Sequence, residues 1–306
     1  MDIDTRLLRY FVAVAEEGHL TRAARRLYVS QPALTKQIKL LEQQLGVELF
    51  IRSRTGMTLT EPGRIFAAHA PHLLTGWDRM LRETKSGASH AARVLRVGFI
   101  ASAAIEFTPR IVEAFHAAQP GWRLELREFG WLDPTAGLAD GDVDAALVRY
   151  PFPGHENYRS EILFTEPRWI ALPETHPLAG RAEIEFRDLW DQPFVAAPAE
   201  SGWWRDFWMG LDERPADTAV IGAISHSTDE WLTAIGNGFG ISFTPASSAR
   251  FYPRPGIAYR PVRGIGPSRA AVAWPSGSEP GAAVRTFIDC CLRVCATGRD
   301  EDTSTR

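Results

Sequence analysis

The stretch Ser30-Gln31-Pro32-Ala33-Leu34-Thr35-Lys36-Gln37-Ile38-Lys39-Leu40-Leu41-Glu42-Gln43-Gln44-Leu45-Gly46 decides the fold of the first part of the chain. Leu34, Ile38, Leu41 and Leu45 recur at i, i+4, i+7 and i+11, which puts them on one face of a helix. Ser30 suits the N-cap, because its hydroxyl can accept from an orphan N–H of the first turn. Pro32 falls in that turn, where a missing N–H costs nothing. Gly46 stops the helix. Upstream, residues 3–16 show a second buried stripe through Leu7, Leu8, Phe11 and Val12, ended by Gly18. Thr21 reads as the cap of a short helix carrying Ala23, Ala24 and Leu27, and residues 28–30 make a tight connection. Two helices joined by a short turn, the second opening with polar residues, form the helix-turn-helix pattern.

Downstream, residues 47–51 and 57–60 read as short strands around Arg52-Ser53-Arg54-Thr55-Gly56, a basic hairpin or wing. Pro62-Gly63 opens a helical stretch over 64–84 with Ile65, Phe66, Ala68, Leu73, Leu74, Trp77 and Leu81 as apolar positions. This helix has no evident partner in its own small domain, so a second copy of itself is expected to cover it. Residues 86–92, SGASHAA, are small and polar and read as a hinge. From 93 on, strands at 94–100, 122–129, 143–148, 169–172, 194–196, 218–223, 241–243, 258–262 and 270–274 alternate with helices, including a short one over 132–139. That alternation predicts one or two largely parallel sheets. The tail 298–306 is polar and is expected to fray.

The chain has 306 residues, enough for two or three domains. With 45% hydrophobic and 23% charged residues, its composition excludes a disordered or fibrous protein. It holds no apolar run long enough for a membrane helix. The N-terminus lacks the basic and apolar regions of a signal peptide, so a cytoplasmic location is expected. Residues 1–92 hold 13 of the 34 basic and 9 of the 37 acidic residues, a net +4 against −7 for the remainder. Only the first part is therefore expected to meet a polyanion. Cys290, Cys291 and Cys295 crowd one segment and read as the buried, inert face of a helix.

Residues 8–16 (LRYFVAVAE), Ala23-Ala24, residues 30–38 (SQPALTKQI), Leu41-Glu42, Leu45-Gly46, residues 49–52 (LFIR) and residues 59–63 (LTEPG) together resemble the DNA-binding domain and linker entry of LysR-type transcriptional regulators. Where the family more often has Ser-Arg, this chain has Thr35-Lys36, which keeps one hydroxyl and one cation. The resemblance implies a winged helix-turn-helix over 1–60 and a linker helix with hinge over 61–92. It further implies an effector-binding region over 93–300, an α/β, Rossmann-like fold of two subdomains similar to type 2 periplasmic binding proteins. Subdomain I would take about 93–162 and 267–300, and subdomain II about 163–266. A dimer or tetramer, a double-stranded operator and a small-molecule effector are implied as partners, with no membrane role and no cofactor.

The residues themselves carry the chemistry. Gln31, Thr35 and Lys36 fall on the polar face of the second helix, where Gln can bond an adenine edge and Lys a guanine or phosphate. Ser30 and the helix N-terminus suit a phosphate, and Pro32 is counted with the DNA-binding residues. Arg52 and Arg54 suit phosphates or a narrow minor groove. By resemblance to the family the effector cleft lies between the subdomains, with Ser102, Arg149 or Tyr150, Ser201 and Thr228 as its expected lining. Arg149 is either a charge partner for the ligand or the partner of an internal acid. Ser102 and Thr228 at helix starts favour a carboxylate head, and the tryptophans an apolar or aromatic body. Trp203, Trp204 and Trp208 are core, pocket or interface. No metal-ligand or catalytic constellation stands out, so an enzyme is not expected. The alternative is a two-lobed solute-binding or enzymatic α/β protein without DNA binding.

Overall fold

The computed structural model describes residues 3–303 except 28, 54–55, 102, 215–218 and 277–278. They divide into two compact units, Met1–Glu83 and Thr84–Arg306.

The first unit contains α1 (Thr5–Glu17), α2 (Leu20–Arg26), α3 (Gln31–Leu45), β1 (Phe50–Ser53), β2 (Gly56–Leu59) and most of α4 (Glu61–Ala91). Leu34, Ile38 and Leu41 of α3 are wholly buried beside Phe11 and Val14 of α1. Phe11 is the centre of this core, with ring centroids 5.1 Å from Phe50 and 4.8 Å from Phe66. Ser30 Oγ accepts from Ala33 N at 3.3 Å, and Gly46 closes α3 at φ 71°. A left-handed residue there is cheap only for glycine. β1 and β2 form the wing as an antiparallel hairpin. Glu42 of α3 accepts from Leu49 N (2.9 Å) and Phe50 N (3.2 Å), tying the wing to the helix.

Two local readings are corrected here. α2 starts at Leu20 with His19 as N-cap, so Thr21 lies inside the helix and caps nothing. Residues 86–91 continue α4, which ends only at Ala91, with Arg93 at φ 52° beyond it. Small polar composition signals a flexible linker only where no helix is propagating into it; adding a residue to an existing helix needs no new nucleus.

The second unit holds β3 (Val94–Ile100), α5 (Thr108–Ala118), β4 (Arg123–Phe129), β5 (Ala145–Tyr150), β6 (Tyr158–Glu166), β7 (Arg168–Pro173), β8 (Ile184–Glu185) and β9 (Phe194–Ala196). It continues with α6 (Trp203–Phe207), β10 (Ile221–Ile224), α7 (Thr228–Gly236), β11 (Ser242–Pro245), α8 (Ser248–Phe251), β12 (Ile257–Arg263), β13 (Ser268–Pro275) and α9 (Ala282–Thr303). One sheet has the order β4-β3-β5-β13-β6; a second has β11-β7-β12-β8, with β9 and β10 paired beside it. The first sheet is mixed, not largely parallel: β3 runs parallel to β4 and β5, while β13 is antiparallel to both β5 and β6. The chain crosses between the lobes at Pro167 and again over 264–267.

On one face of the first sheet, α5 and α9 bury Phe115, Phe287, Cys291 and Cys295 against Leu95 and Val97. All three cysteines are buried, and burial pushes the Cys290 and Cys291 thiols above their ordinary range. A thiol kept protonated in this way is a poor nucleophile, in keeping with the inert face read from sequence. α9 runs on to Thr303, so the C-terminal stretch read as frayed is helical as far as that residue.

Residues 132–139 form consecutive turns and no helix. Asp133 accepts from Thr135 N (3.0 Å) and Gly137 N (2.7 Å), and Ala136 and Gly137 take φ 52° and 86°, outside helical space. The turn is pressed onto β3. A Cβ at Gly98 would lie 1.9 Å from Ala136 O, which no side chain allows.

Candidate functional site

Two regions concentrate chemistry. In the first unit, Ser30, Gln31, Pro32 and Lys36 are exposed and Thr35 is half-buried. Gln31 Nε2 donates to Thr35 Oγ1 at 3.0 Å, so the two side chains are already ordered as a pair across one turn. Arg52 is exposed on β1, and Arg54 lies outside the described residues. The ion pairs sort the cations by position. Arg9, Arg22, Arg26 and Arg64 are matched by Asp78, Glu17, Glu16 and Glu61. Lys36, Lys39 and Arg52 have no ion pair among the described residues, and neither do Arg25 of α2 and Arg79 of α4. The unbalanced positive charge of α3 and the wing therefore remains available to a polyanion.

In the second unit a narrow cavity of about 60 Å³ lies between the lobes. Ile100, Ala101, Trp131 and Arg149 line it from the first lobe. From the second come Trp204 of α6 and Trp208 at its C-terminal end, Thr228 and Trp231 of α7, residues 242–245 with Phe243 and Thr244, Ser248 and Tyr252. Trp131 meets Trp231 edge-to-face at 6.3 Å, and Trp204 meets Trp208 at 5.9 Å. Thr244 and Ser248 share a 2.6 Å hydroxyl hydrogen bond.

Of the residues expected from sequence, Arg149 and Thr228 reach the cavity. Arg149, 2% exposed, donates from Nη1 to Glu166 Oε1 at 2.7 Å. Glu166 in turn accepts from Ser247 N at 2.7 Å and Ser247 Oγ at 3.2 Å. Burial pushes the Arg149 guanidinium down from its ordinary range and Glu166 pushes it back. Of the two roles open to Arg149, the pair with an internal acid is the one formed. Tyr150 is outside the lining: it packs edge-on to Phe152 and His155 and under the Arg269 guanidinium. Ser201 is also outside it, buried and donating to Trp131 O at 2.6 Å, which fixes the backbone behind a cavity tryptophan. Ser102 lies outside the described residues.

Thr228 is the first residue of α7; Ser227 is the cap, and Asp229 and Glu230 occupy the first turn. Hydrogen bonds from His226 N and its ring hold the Glu230 carboxyl below the usual range. Trp131, Tyr252 and the 244/248 hydroxyl pair had no local signal; only the tertiary fold brings positions so far apart in sequence together. Of the tryptophan trio, Trp204 is core and cavity wall, Trp208 is cavity wall, and Trp203 is exposed against His155.

The two crossings are fastened by a fully buried arginine. Arg168 donates from Nε to Gly266 O and from Nη1 to Phe207 O, both at 2.7 Å. It also bonds Asp212 and Glu213, and its guanidinium lies 4.1 Å over the Phe207 ring.

Comparison with known proteins finds a family match for each part of the chain. Residues 5–64 match the family model described as bacterial regulatory helix-turn-helix protein, lysR family, and residues 88–296 match the LysR substrate binding domain. The chain belongs to the LysR family of transcriptional regulators. It is 32% identical over 253 residues to the HTH-type transcriptional regulator AlsR of Bacillus subtilis, covering 82% of this chain and 83% of that one. It is 32% identical over 293 residues to the Hca operon transcriptional activator HcaR of Escherichia coli, covering 94% and 96%. Among solved structures it is similar to full-length BenM, with 26% identity, a TM-score of 0.52 and 97% and 98% coverage. A full-length OxyR variant from Pseudomonas aeruginosa gives 27% identity, a TM-score of 0.53 and 95% and 100% coverage. The LysR-family chain is thus a DNA-binding transcriptional regulator under small-molecule control, with operator DNA, an effector and further copies of itself as partners. Among the described residues no helix is long and apolar enough to cross a membrane.

Proposed function

We propose that this LysR-family regulator reads a dyad-symmetric operator through Gln31, Thr35 and Lys36 and holds the backbone through Ser30, Pro32 and the wing residues Arg52 and Arg54. The observation that carries this is that Lys36, Lys39 and Arg52 have no ion pair among the described residues, while Arg9, Arg22, Arg26 and Arg64 are neutralised locally. The reading makes the protein a non-enzymatic, cytoplasmic regulator.

Assembly runs through α4. Ala70 and Leu74 bury themselves in their own unit, but Leu73, Trp77 and Leu81, one turn apart, stay exposed, with Met80 beside them. An apolar stripe at helical spacing is stable in water only when another surface covers it. A second copy of α4 supplies that surface, and contacts between effector domains extend the dimer to a tetramer.

The effector binds between the lobes. The cavity as it stands has room for only a few molecules the size of water; an enclosed cavity that admits benzene measures about 150 Å³, against about 60 Å³ here. An organic ligand therefore enters only if the walls separate. Those walls belong to different lobes, so occupancy is coupled to lobe orientation, as a population shift requires. The test is fluorescence anisotropy of the full-length chain with a duplex from upstream of its own gene. Tight binding that falls on Gln31→Ala is expected, and equal binding to an unrelated duplex at every salt concentration overturns the reading.

A further inference from the structure

We propose that the effector is an uncharged, planar aromatic molecule bearing one hydroxyl or carbonyl group, and not the carboxylate that the sequence suggests. This rests on the reading of the inter-lobe cavity as the effector site, and goes beyond it by assigning the ligand's charge.

The apolar part of the argument is the wall. The edge-to-face pairs Trp131–Trp231 and Trp204–Trp208 both border the cavity, with Phe243 between the polar residues. Rings in such a wall offer faces and edges to a flat aromatic guest.

The electrostatic part decides the class. The cavity's lining holds a single charged side chain among the described residues, Arg149, and that charge already has its counter-ion. Glu166 does not give it up easily, because Ser247 N and Oγ hold the same carboxylate in place. A ligand carboxylate has two choices. It displaces Glu166, leaving a second negative charge beside it, or it settles next to a neutral pair with no cation of its own. Either way a net negative charge is taken out of water uncompensated. The start of α7 offers no relief. The Ser227 hydroxyl already serves Glu230 N, Asp229 is paired with Arg254, and the Glu230 carboxylate opposes an incoming anion at that helix end.

A cationic ligand fares no better. Tryptophan faces attract cations, but the Arg149–Glu166 pair is neutral as a whole and the lining holds no acidic side chain among the described residues, so a cation is also buried unmatched. What the cavity offers instead is a neutral polar end. The Thr244–Ser248 pair has two hydroxyl hydrogens and uses one between them, leaving one to donate and lone pairs to accept. A phenol oxygen or a ketone satisfies that hydroxyl without bringing charge.

The test titrates full-length protein with matched probes and reads tryptophan fluorescence and melting temperature. The probes are acetophenone against benzoate, and 4-methylphenol against 4-methylbenzoate. Each neutral probe is expected to bind at least about tenfold tighter than its carboxylate, a difference of roughly 1.4 kcal/mol. Trp208→Phe and Trp131→Phe are expected to weaken it. Carboxylates binding as tightly, and losing that binding in the tryptophan variants, overturn the charge assignment while leaving the cavity as the effector site. Binding that both variants leave untouched overturns the site itself. Failure of all four probes to bind at millimolar concentration also overturns the proposed class.

Discussion

Replacing Glu166 by Gln strands a buried cation. Arg149 is 2% exposed and Glu166 11%, so water answers neither charge. Breaking such a pair from one side costs about 3–5 kcal/mol, because the remaining charge is desolvated and unmatched. In a domain of this size each kcal/mol moves the melting temperature by about 2–4 °C, so Glu166→Gln is expected to melt about 10 °C below wild type. The loss should persist at high salt, since ions do not screen a pair they cannot reach. The double variant Arg149→Met with Glu166→Gln removes the cation as well, and Gln can still accept from Ser247 N. It is expected to return to within about 1–2 kcal/mol of wild type. Thermal and urea denaturation of all four proteins completes a double-mutant cycle. A single variant melting within about 2 °C of wild type, or single-mutant losses that simply add in the double variant, would refute the reasoning.

Two more outcomes concern DNA and assembly. Lys36→Ala should lower the salt slope of operator binding by about one and cost about 1–3 kcal/mol; salt titrations matching wild type would remove Lys36 from the interface. Trp77→Asp places a charge in the exposed α4 stripe, where two covered side chains contribute roughly 3–6 kcal/mol. Sedimentation should show loss of the dimer and anisotropy the loss of cooperative operator binding.

The DNA-binding part was legible because its information is local. The spacing of Leu34, Ile38 and Leu41, the Ser30 cap and the Gly46 stop are all contained in one run of sequence, and the structure shows each in place. Where tertiary contacts decide, reading fails. The 132–139 pattern looks helical, but Asp133 captures backbone N–H groups and the fit of Ala136 onto Gly98 selects a turn. β6 escaped notice because its first half shows polar side chains to water, Arg159, Ser160 and Glu161. The cavity was half legible. Thr228 and Arg149 sit at element ends, which sequence reveals, whereas Trp131 and Tyr252 meet only through the crossing of two lobes.

The Glu166-Pro167-Arg168 tripeptide separates two properties of a sensor. Glu166 holds a wall of the cavity through Arg149, and Arg168 binds the second crossing at Gly266 and the end of α6 at Phe207. Its acidic partners Asp212 and Glu213 do not line the cavity. A change at either acid is expected to alter how readily the lobes part, and so to scale the apparent affinity for every ligand by one common factor. A change in the tryptophan wall alters the ratio of affinities between two ligands. Gain and selectivity are thereby adjustable by different mutations, and affinities for a pair of ligands measured on the same variant tell which of the two has moved.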